Sequence, residues 1–476
     1  MKMTINGKQV DSVSKETFDV IAPATGQIIE SVPKATAEDI DMAITAAVEG
    51  QKIWAKVPVT ERGDILYRFL DIVEENKEML AQTLSAENGK PINEARAEIA
   101  NIHIGFSGFI EHAKHYYGTI IPPGTEAGQA ANLQLVTREP IGVIACIIPF
   151  NFPCDLYDQK VAPALMMGNA AIVLPSSDNP LTLMKLTEML VAAGVPDGVI
   201  QCLTAPGAVK SAAVSDPRVH LVTLTGSTEV GIDTAKIAAQ NLTHTALELG
   251  GNDAFIVLDD GDVDLAVEEL IWGRMYNTGQ VCCASKRFIV HNSIKDEFAQ
   301  KAVDRIKQLK FGPPIEEDTQ IACLISEKAA IKVEEQVNLT VEQGGKIILG
   351  GTRNGAFYDP TVIVDVPKTA DVAIDMEIFG PVVPIIGFDT DEEAIDIANK
   401  SIFGLSSCVF SKDQKRAFKV ASAMEAGGAV INGASFFRSF EMPFGGWKFS
   451  GIGTEGVMST FDEMTRVKTI VLKNIL

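Results

Sequence analysis

Positive charge is what this chain most clearly lacks: 41 Lys and Arg stand against 62 Asp and Glu in 476 residues, a formal charge of −21. That balance excludes a nucleic-acid coat or a polybasic membrane adaptor, since polyanions and anionic surfaces are held by clustered cations. Long apolar runs are missing too. The longest, around Ile141 to Ile148, falls far short of the roughly 20 residues a membrane-spanning helix needs. The start MKMTINGKQV carries no apolar secretory stretch, so a cytoplasmic address is expected. Cysteine is scarce and unpatterned. Cys146, Cys154, Cys202, Cys282, Cys283, Cys323 and Cys408 show neither disulfide nor zinc spacing, so buried reduced thiols and no metal site are expected. None of the six histidines (His103, His112, His115, His220, His244, His291) sits in a partner motif, which argues against a cysteine hydrolase.

What the chain does contain is ordinary material for buried cores: 46% of residues are hydrophobic. At roughly 100–200 residues per domain the length predicts two to four domains. From Thr36 to about Tyr117 the apolar spacing is helical, as in Asp39 to Ala55 and Glu61 to Asn88, with Asn88-Gly89-Lys90-Pro91 as a turn. Between Val136 and Ala246 short β-branched runs alternate with amphipathic helices, the pattern of a parallel, doubly wound sheet. A second alternation starts near Ala254 to Val257, passes through a helix leading to Cys282, and continues with Phe288 to Val290, Thr361 to Val364, Val382 to Phe388 and Ala429 to Asn432. Two α/β domains hinged near Leu249-Gly250-Gly251 are the expected organisation.

Four segments carry chemistry. A Gly-x-Gly-x-x-Gly at Gly451, Gly453 and Gly456 follows no apolar strand and leaves too little chain for a βαβ unit, so it is rejected as a dinucleotide fingerprint. Val219 to Thr225 followed by Gly226-Ser227-Thr228-Glu229-Val230-Gly231 reads as a buried strand turning into a helix, whose free N–H groups suit a phosphate. Asn277-Thr278-Gly279-Gln280-Val281-Cys282-Cys283-Ala284 delivers two thiols at a small-residue turn, where helix-end N–H groups would lower a cysteine pKa. The competing reading is that both are small core residues. Glu248 lies inside the apolar run Leu247 to Leu249, where burial would raise it toward the range of a general base. Asn151, between Phe150 and Phe152 and flanked by Pro149 and Pro153, is a rigid amide able to hold an oxyanion.

These segments, with Glu377-Ile378-Phe379-Gly380-Pro381 and Pro443-Phe444-Gly445-Gly446, occur in the order and spacing of the aldehyde dehydrogenase superfamily, which the whole chain resembles. The resemblance implies an α/β fold of two doubly wound Rossmann-like domains plus a small β oligomerisation element. The cofactor domain would take 1–118 and 140–249, the catalytic domain 250–447, and 119–139 with 448–476 would form the oligomerisation element and C-terminal tail. It implies Cys282 as nucleophile, Glu248 as base and Asn151 as oxyanion donor. Ile147, Ile148, Pro149, Phe150, Ser177, Gly226, Ser227, Leu249, Glu377 and Phe379 become the NAD(P) contacts. In such a cycle the cysteine thioester is hydrolysed to a carboxylate.

One departure concerns the cofactor. Leu174-Pro175-Ser176-Ser177 stands where the family usually has Lys-Pro-Ser-Glu, so neither usual discriminator of NAD from NADP is present. NAD is slightly favoured because a buried phosphate wants a cation, which Lys210 would otherwise have to supply. Arg438 lies in a loop that borders the aldehyde tunnel in the family. A guanidinium there would clamp the tail of a short anionic aldehyde such as a semialdehyde or lactaldehyde-like compound, against a rim role paired with Glu441. Tyr157, Phe150, Phe436 and Phe437 are expected to line the tunnel, although plain packing suits each equally well. A CoA-acylating enzyme is the alternative, disfavoured by Glu248; a catalytically silent binding protein is the alternative of another class. Segments 129–138 and 466–476 alternate like antiparallel strands, and a homodimer or homotetramer is expected, with no nucleic-acid or membrane partner.

Overall fold

A computed structural model describes residues 1–476. The N-terminal layer is helical for local reasons. Thr36 caps the helix Ala37–Trp54: its hydroxyl accepts the Asp39 N–H at 3.3 Å while the Asp39 carboxylate accepts the Thr36 N–H at 2.8 Å. The periodic stretch expected from Glu61 to Asn88 is two helices, Val59–Glu75 and Lys77–Asn88, divided where Asn76 leaves helical geometry (φ −114°, ψ 9°). Gly89 ends the second in a left-handed conformation (φ 85°), and Pro91 starts the long helix Ile92–Ala113.

Two parallel sheets follow. In the first, the central strands run 200–202, 170–174, 143–147, 221–225 and 244–248, all parallel, with short antiparallel strands 3–5 and 451–452 on the flanks. All five central strands of this set except 244–248 are buried along their length apart from Ile147, as continuous β-branched and aliphatic runs must be when helices cover both faces. The second sheet runs 346–349, 361–364, 382–388, 285–291, 253–257, 407–410 and 430–431, parallel except at its 346–349 edge. Strand 253–257 follows 244–248 after four residues, so Leu249-Gly250-Gly251-Asn252 is the single crossing at that point.

A third sheet of three antiparallel strands, 119–121, 133–140 and 465–472, stands apart from both. The segment 448–476, expected to form the oligomerisation element and C-terminal tail, divides between this sheet and the first. Of 448–476, only Thr465–Leu472 joins this sheet; Gly451–Ile452 completes the first sheet beside Leu247 and Glu248, and the helix Val457–Glu463 packs on the helices 92–113 and 153–166. No helix is long and apolar enough to cross a membrane.

Candidate active site

In the first sheet the chain moves outward from strand 143–147 to 170–174 and 200–202, then resumes on the other flank with 221–225. A crevice opens at the carboxyl ends of the two strands where this order reverses, the usual ligand position in such sheets. A cleft of about 530 Å³ lies there. Ile147, Ile148, Pro149 and Phe150 line one wall, Thr225, Gly226, Ser227 and Val230 the facing helix start, and Leu249, Glu377 and Phe379 the end toward Cys282. Ser227 caps the helix Thr228–Ala238, so the first free N–H groups of that helix face the cleft. An apolar slot with an anion-seeking helix end and a carboxylate at the far end has the donor chemistry for a dinucleotide.

At the opposite end lie Ser177, an expected contact, and Leu174, which stands where the family usually has a lysine. Ser177 is exposed and faces a neighbouring groove, while Ser176 and Asp178 line the cleft. Leu174 is fully buried in the core and does not reach the cleft at all. Leu174 turns inward because successive side chains of a strand leave on opposite faces, whereas Ser177 lies past the end of the strand Ala170–Leu174. Three lysines line the cleft, Lys210, Lys328 and Lys332; Lys210 donates to the Pro175 carbonyl at 2.6 Å and is held down to about 8 by burial.

The Cys282 turn is strained and braced. No regular helix leads to Cys282: the helix Val263–Leu270 widens to a π turn over Ile271–Met275, and Asn277 and Thr278 then take left-handed φ values of 49° and 53°. Two such residues in succession cost energy that the surroundings must repay. Glu94 accepts the Asn277 N–H at 2.8 Å, Asn277 Nδ2 donates to the Asn151 carbonyl at 2.8 Å, and the Gln280 side chain accepts the Ile325 N–H at 2.9 Å. Gly279, at φ 77°, lies so close to Gly380 that an added Cβ would sit 2.3 Å from its carbonyl oxygen. The expected helix-end stabilisation of the thiol is therefore absent. Cys282 is nevertheless drawn down to about 7, first by the hydrogen bond from Cys283 and then, against burial, by Lys286 and Arg438. Cys283 is driven the other way, by the same bond and by burial. The two thiols, equivalent in sequence, are thus distinguished: Cys282 is half-buried at the cleft and Cys283 is buried.

Asn151 is held through its backbone. Its carbonyl accepts from Lys90 Nζ at 2.8 Å as well as from Asn277, and Lys90 is itself a buried partner of Glu98, whose other oxygen accepts the Cys154 N–H at 2.8 Å. Asn88 and Asn179 both donate to the Phe150 carbonyl, at 2.6 and 2.8 Å. With the two consecutive carbonyls of Phe150 and Asn151 so anchored, Asn151 and Cys282 line the same cleft. Glu248 ends strand 244–248, 4% exposed, with neither carboxylate oxygen hydrogen-bonded. Burial first, and the Glu455 charge second, hold its carboxyl well above the usual range.

On the far side of Cys282, Phe152 stacks on Tyr276 (6.0 Å between centroids), and Phe436 packs against Tyr276 and Trp272 at 5.4 and 4.9 Å. Arg438 pairs with Glu455 at 3.1 Å, not with Glu441, which instead meets His112. It also lies 4.2 Å from the centre of the Phe444 ring. Burial works against its charge, yet the Glu455 and Glu248 carboxylates hold its pKa up. Glu455 in turn binds Lys160 at 2.8 Å. Tyr157 is corrected: it is fully buried, its hydroxyl 3.2 Å from that of Thr187 and its ring stacked toward Phe106, because on the helix Pro153–Met166 it faces the core. Phe437 points outward, 51% exposed, and Phe150 meets Phe379 on the cofactor side at 5.9 Å.

Sequence reasoning missed Lys90, Glu98, Lys160, Asp253, Lys286 and Glu455. Each is a charged residue that the fold buries, and nothing in its local spacing separates it from the exposed charges around it.

The model of the Aldehyde dehydrogenase family matches residues 10–470. The glutarate-semialdehyde dehydrogenase of Pseudomonas putida is 37% identical over 98% of this chain and 97% of its own length. The succinate-semialdehyde dehydrogenase (NADP+) of Escherichia coli is 36% identical over 98% of this chain and 96% of its own. The crystal structure of an NAD-dependent aldehyde dehydrogenase from Sinorhizobium meliloti superposes with a TM-score of 0.96 at 33% identity, covering 99% of this chain and 94% of that one.

Proposed function

Since the chain belongs to the aldehyde dehydrogenase family, we propose that it oxidises a short aldehyde bearing an anionic group to the carboxylate, using NAD or NADP. The observation that carries this reading is the pair of oppositely tuned groups at one point: a thiol drawn down to about 7 at Cys282 and a buried, unpartnered carboxyl raised at Glu248. The Cys282 thiolate attacks the aldehyde carbon. The Asn151 amide and the Cys282 backbone N–H receive the charge that develops on oxygen. Ile147, Pro149, Phe150, Gly226, Ser227, Leu249, Glu377 and Phe379 would hold the dinucleotide, which supplies the hydride acceptor of this reaction. Glu248, desolvated and free of hydrogen bonds, takes a proton from the water that cleaves the Cys282 thioester. A buried base at this point supports hydrolysis over transfer to CoA, and turnover in the absence of CoA tests that choice.

Arg438 supports the anionic substrate. Its protein hydrogen bonds all leave from Nη2, so Nε and Nη1 stay available to a carboxylate, phosphate or sulfonate. Glutarate and succinate semialdehydes, named for the relatives above, are aldehydes of that class. Lys210 beside Asp178 supplies one cation and one anion at the adenosine end, compatible with either nucleotide. We further read the strand Thr465–Leu472, whose Val467, Ile470, Val471 and Leu472 are exposed, as the surface through which copies of this chain associate.

The deciding experiment quenches the enzyme during turnover and measures intact mass. An acyl adduct confined to the peptide carrying Cys282, and loss of both adduct and oxidation in Cys282→Ser, are expected. Oxidation that survives Cys282→Ser sinks the proposal.

A further inference from the structure

Lys286 opens the strand Ser285–His291 four residues after Cys282, and its side chain is 1% exposed. Its ammonium pairs with Glu377 Oε1 at 2.9 Å, donates to the Cys282 carbonyl, and lies 5.6 Å from the centre of the Phe379 ring. A cation so thoroughly removed from water is tolerated only where anions face it. Asp253, 2% exposed with Oδ2 unpartnered, faces it from the next strand, and the Lys286 charge works on that carboxyl. Glu377 can approach because residue 250 is glycine: an added Cβ there would stand 2.6 Å from Glu377 Oε2.

We propose that Lys286 is a positioning residue that ties the nicotinamide end of the cleft to the nucleophile, one buried ammonium holding both the Glu377 carboxylate and the backbone of the Cys282 turn. The inference rests on reading Cys282 as the nucleophile and Glu377 as a cofactor contact. Six groups bear on the Cys282 sulfur: Cys283 and Lys286 from its own segment, Arg438 from the loop above it, Glu377, and the facing carboxylates Glu248 and Asp253. After the Cys283 bond and the opposing effect of burial, Lys286 is the strongest of the charges, and Glu377 opposes it. The two partners of one ion pair therefore act on the thiol with opposite signs.

The test is the pH dependence of Cys282 alkylation by iodoacetamide in cofactor-free protein, with peptide mass spectrometry locating the adduct. Lys286→Met should raise the midpoint by about one to two pH units, the effect of losing a nearby opposite charge. It should also raise KM for the dinucleotide roughly tenfold, as a charge-assisted contact is loosened. Lys286→Arg should restore most of the midpoint. Glu377→Gln should lower the midpoint, because the ammonium is no longer neutralised. Midpoints that stay put, or that move the same way in Lys286→Met and Glu377→Gln, overturn the proposal. If Lys286→Met does not fold, the absence of a downward shift in Glu377→Gln overturns it alone. A protein that alkylates at Cys282 yet oxidises no aldehyde defeats the functional reading, while the shifts still decide the role of Lys286.

Discussion

Replacing Glu248 with Gln separates the two halves of the proposed cycle. The side chain is 4% exposed and both oxygens lack partners, so desolvation is the largest cause of its perturbation, reinforced by the Glu455 charge. A positioned base contributes about 10²- to 10⁴-fold, or about 3–5 kcal/mol of barrier. Gln keeps the shape but accepts no proton. Thioester formation should be untouched and its hydrolysis slowed by that factor. Quenched flow should then show one equivalent of reduced cofactor per Cys282 in a rapid burst, followed by a slow steady state, with acyl-enzyme accumulating in the mass spectrum. Stability gives a second readout. The folded pKa of Glu248 lies above its unfolded value, so its contribution is fully present below the unfolded pKa and is lost as pH rises through the folded one. The melting temperature of Glu248→Gln should accordingly fall less than that of the parent on going from about pH 6 to about pH 9. A steady-state rate within about threefold of the parent, against the 10²-fold minimum expected of a lost base, would refute the assignment. So would an equally deep loss with no burst, which would place the defect before the thioester.

Lys90→Met removes one partner of a buried pair and should cost about 3–5 kcal/mol in urea unfolding; Lys90→Met with Glu98→Gln should recover part of this, since Gln still accepts the Cys154 N–H. A single-variant cost under about 1 kcal/mol contradicts the buried-pair argument. Arg438→Gln should raise KM for succinic semialdehyde by about tenfold or more while leaving propanal nearly unchanged, as expected for a charge-assisted contact worth about 1.5–3 kcal/mol; equal effects on both remove the clamp. Light scattering should return a multiple of the 51.1 kDa chain mass, and a monomer refutes association through the strand Thr465–Leu472.

Periodicity made most elements legible. The runs at 143–147, 170–174, 221–225, 253–257 and 382–388 are continuous apolar strands because helices cover both their faces, and that burial is what the sequence pattern records. The approach to Cys282 was not legible. Its residues have helical spacing, but contacts from Glu94, Asn151 and Ile325, each far away in the chain, hold it in left-handed turns that no local propensity favours.

From the amino-acid order alone came the two-sheet architecture and the crossing between the sheets near Leu249 to Gly251, because short-range periodicity and turn residues act within a few positions of themselves. Tertiary structure alone decided what sets the two adjacent thiols apart electrostatically, that Arg438 answers to Glu455 and not Glu441, that Tyr157 turns into the core, and that the half-buried Glu377 meets the buried Lys286 and Asp253 in one charge cluster. Those outcomes depend on desolvation and on Coulomb interactions across a few ångströms of low-dielectric interior. Both are properties of what is near in space, which brings together partners as distant along the chain as Lys286 and Glu377 or Lys160 and Glu455.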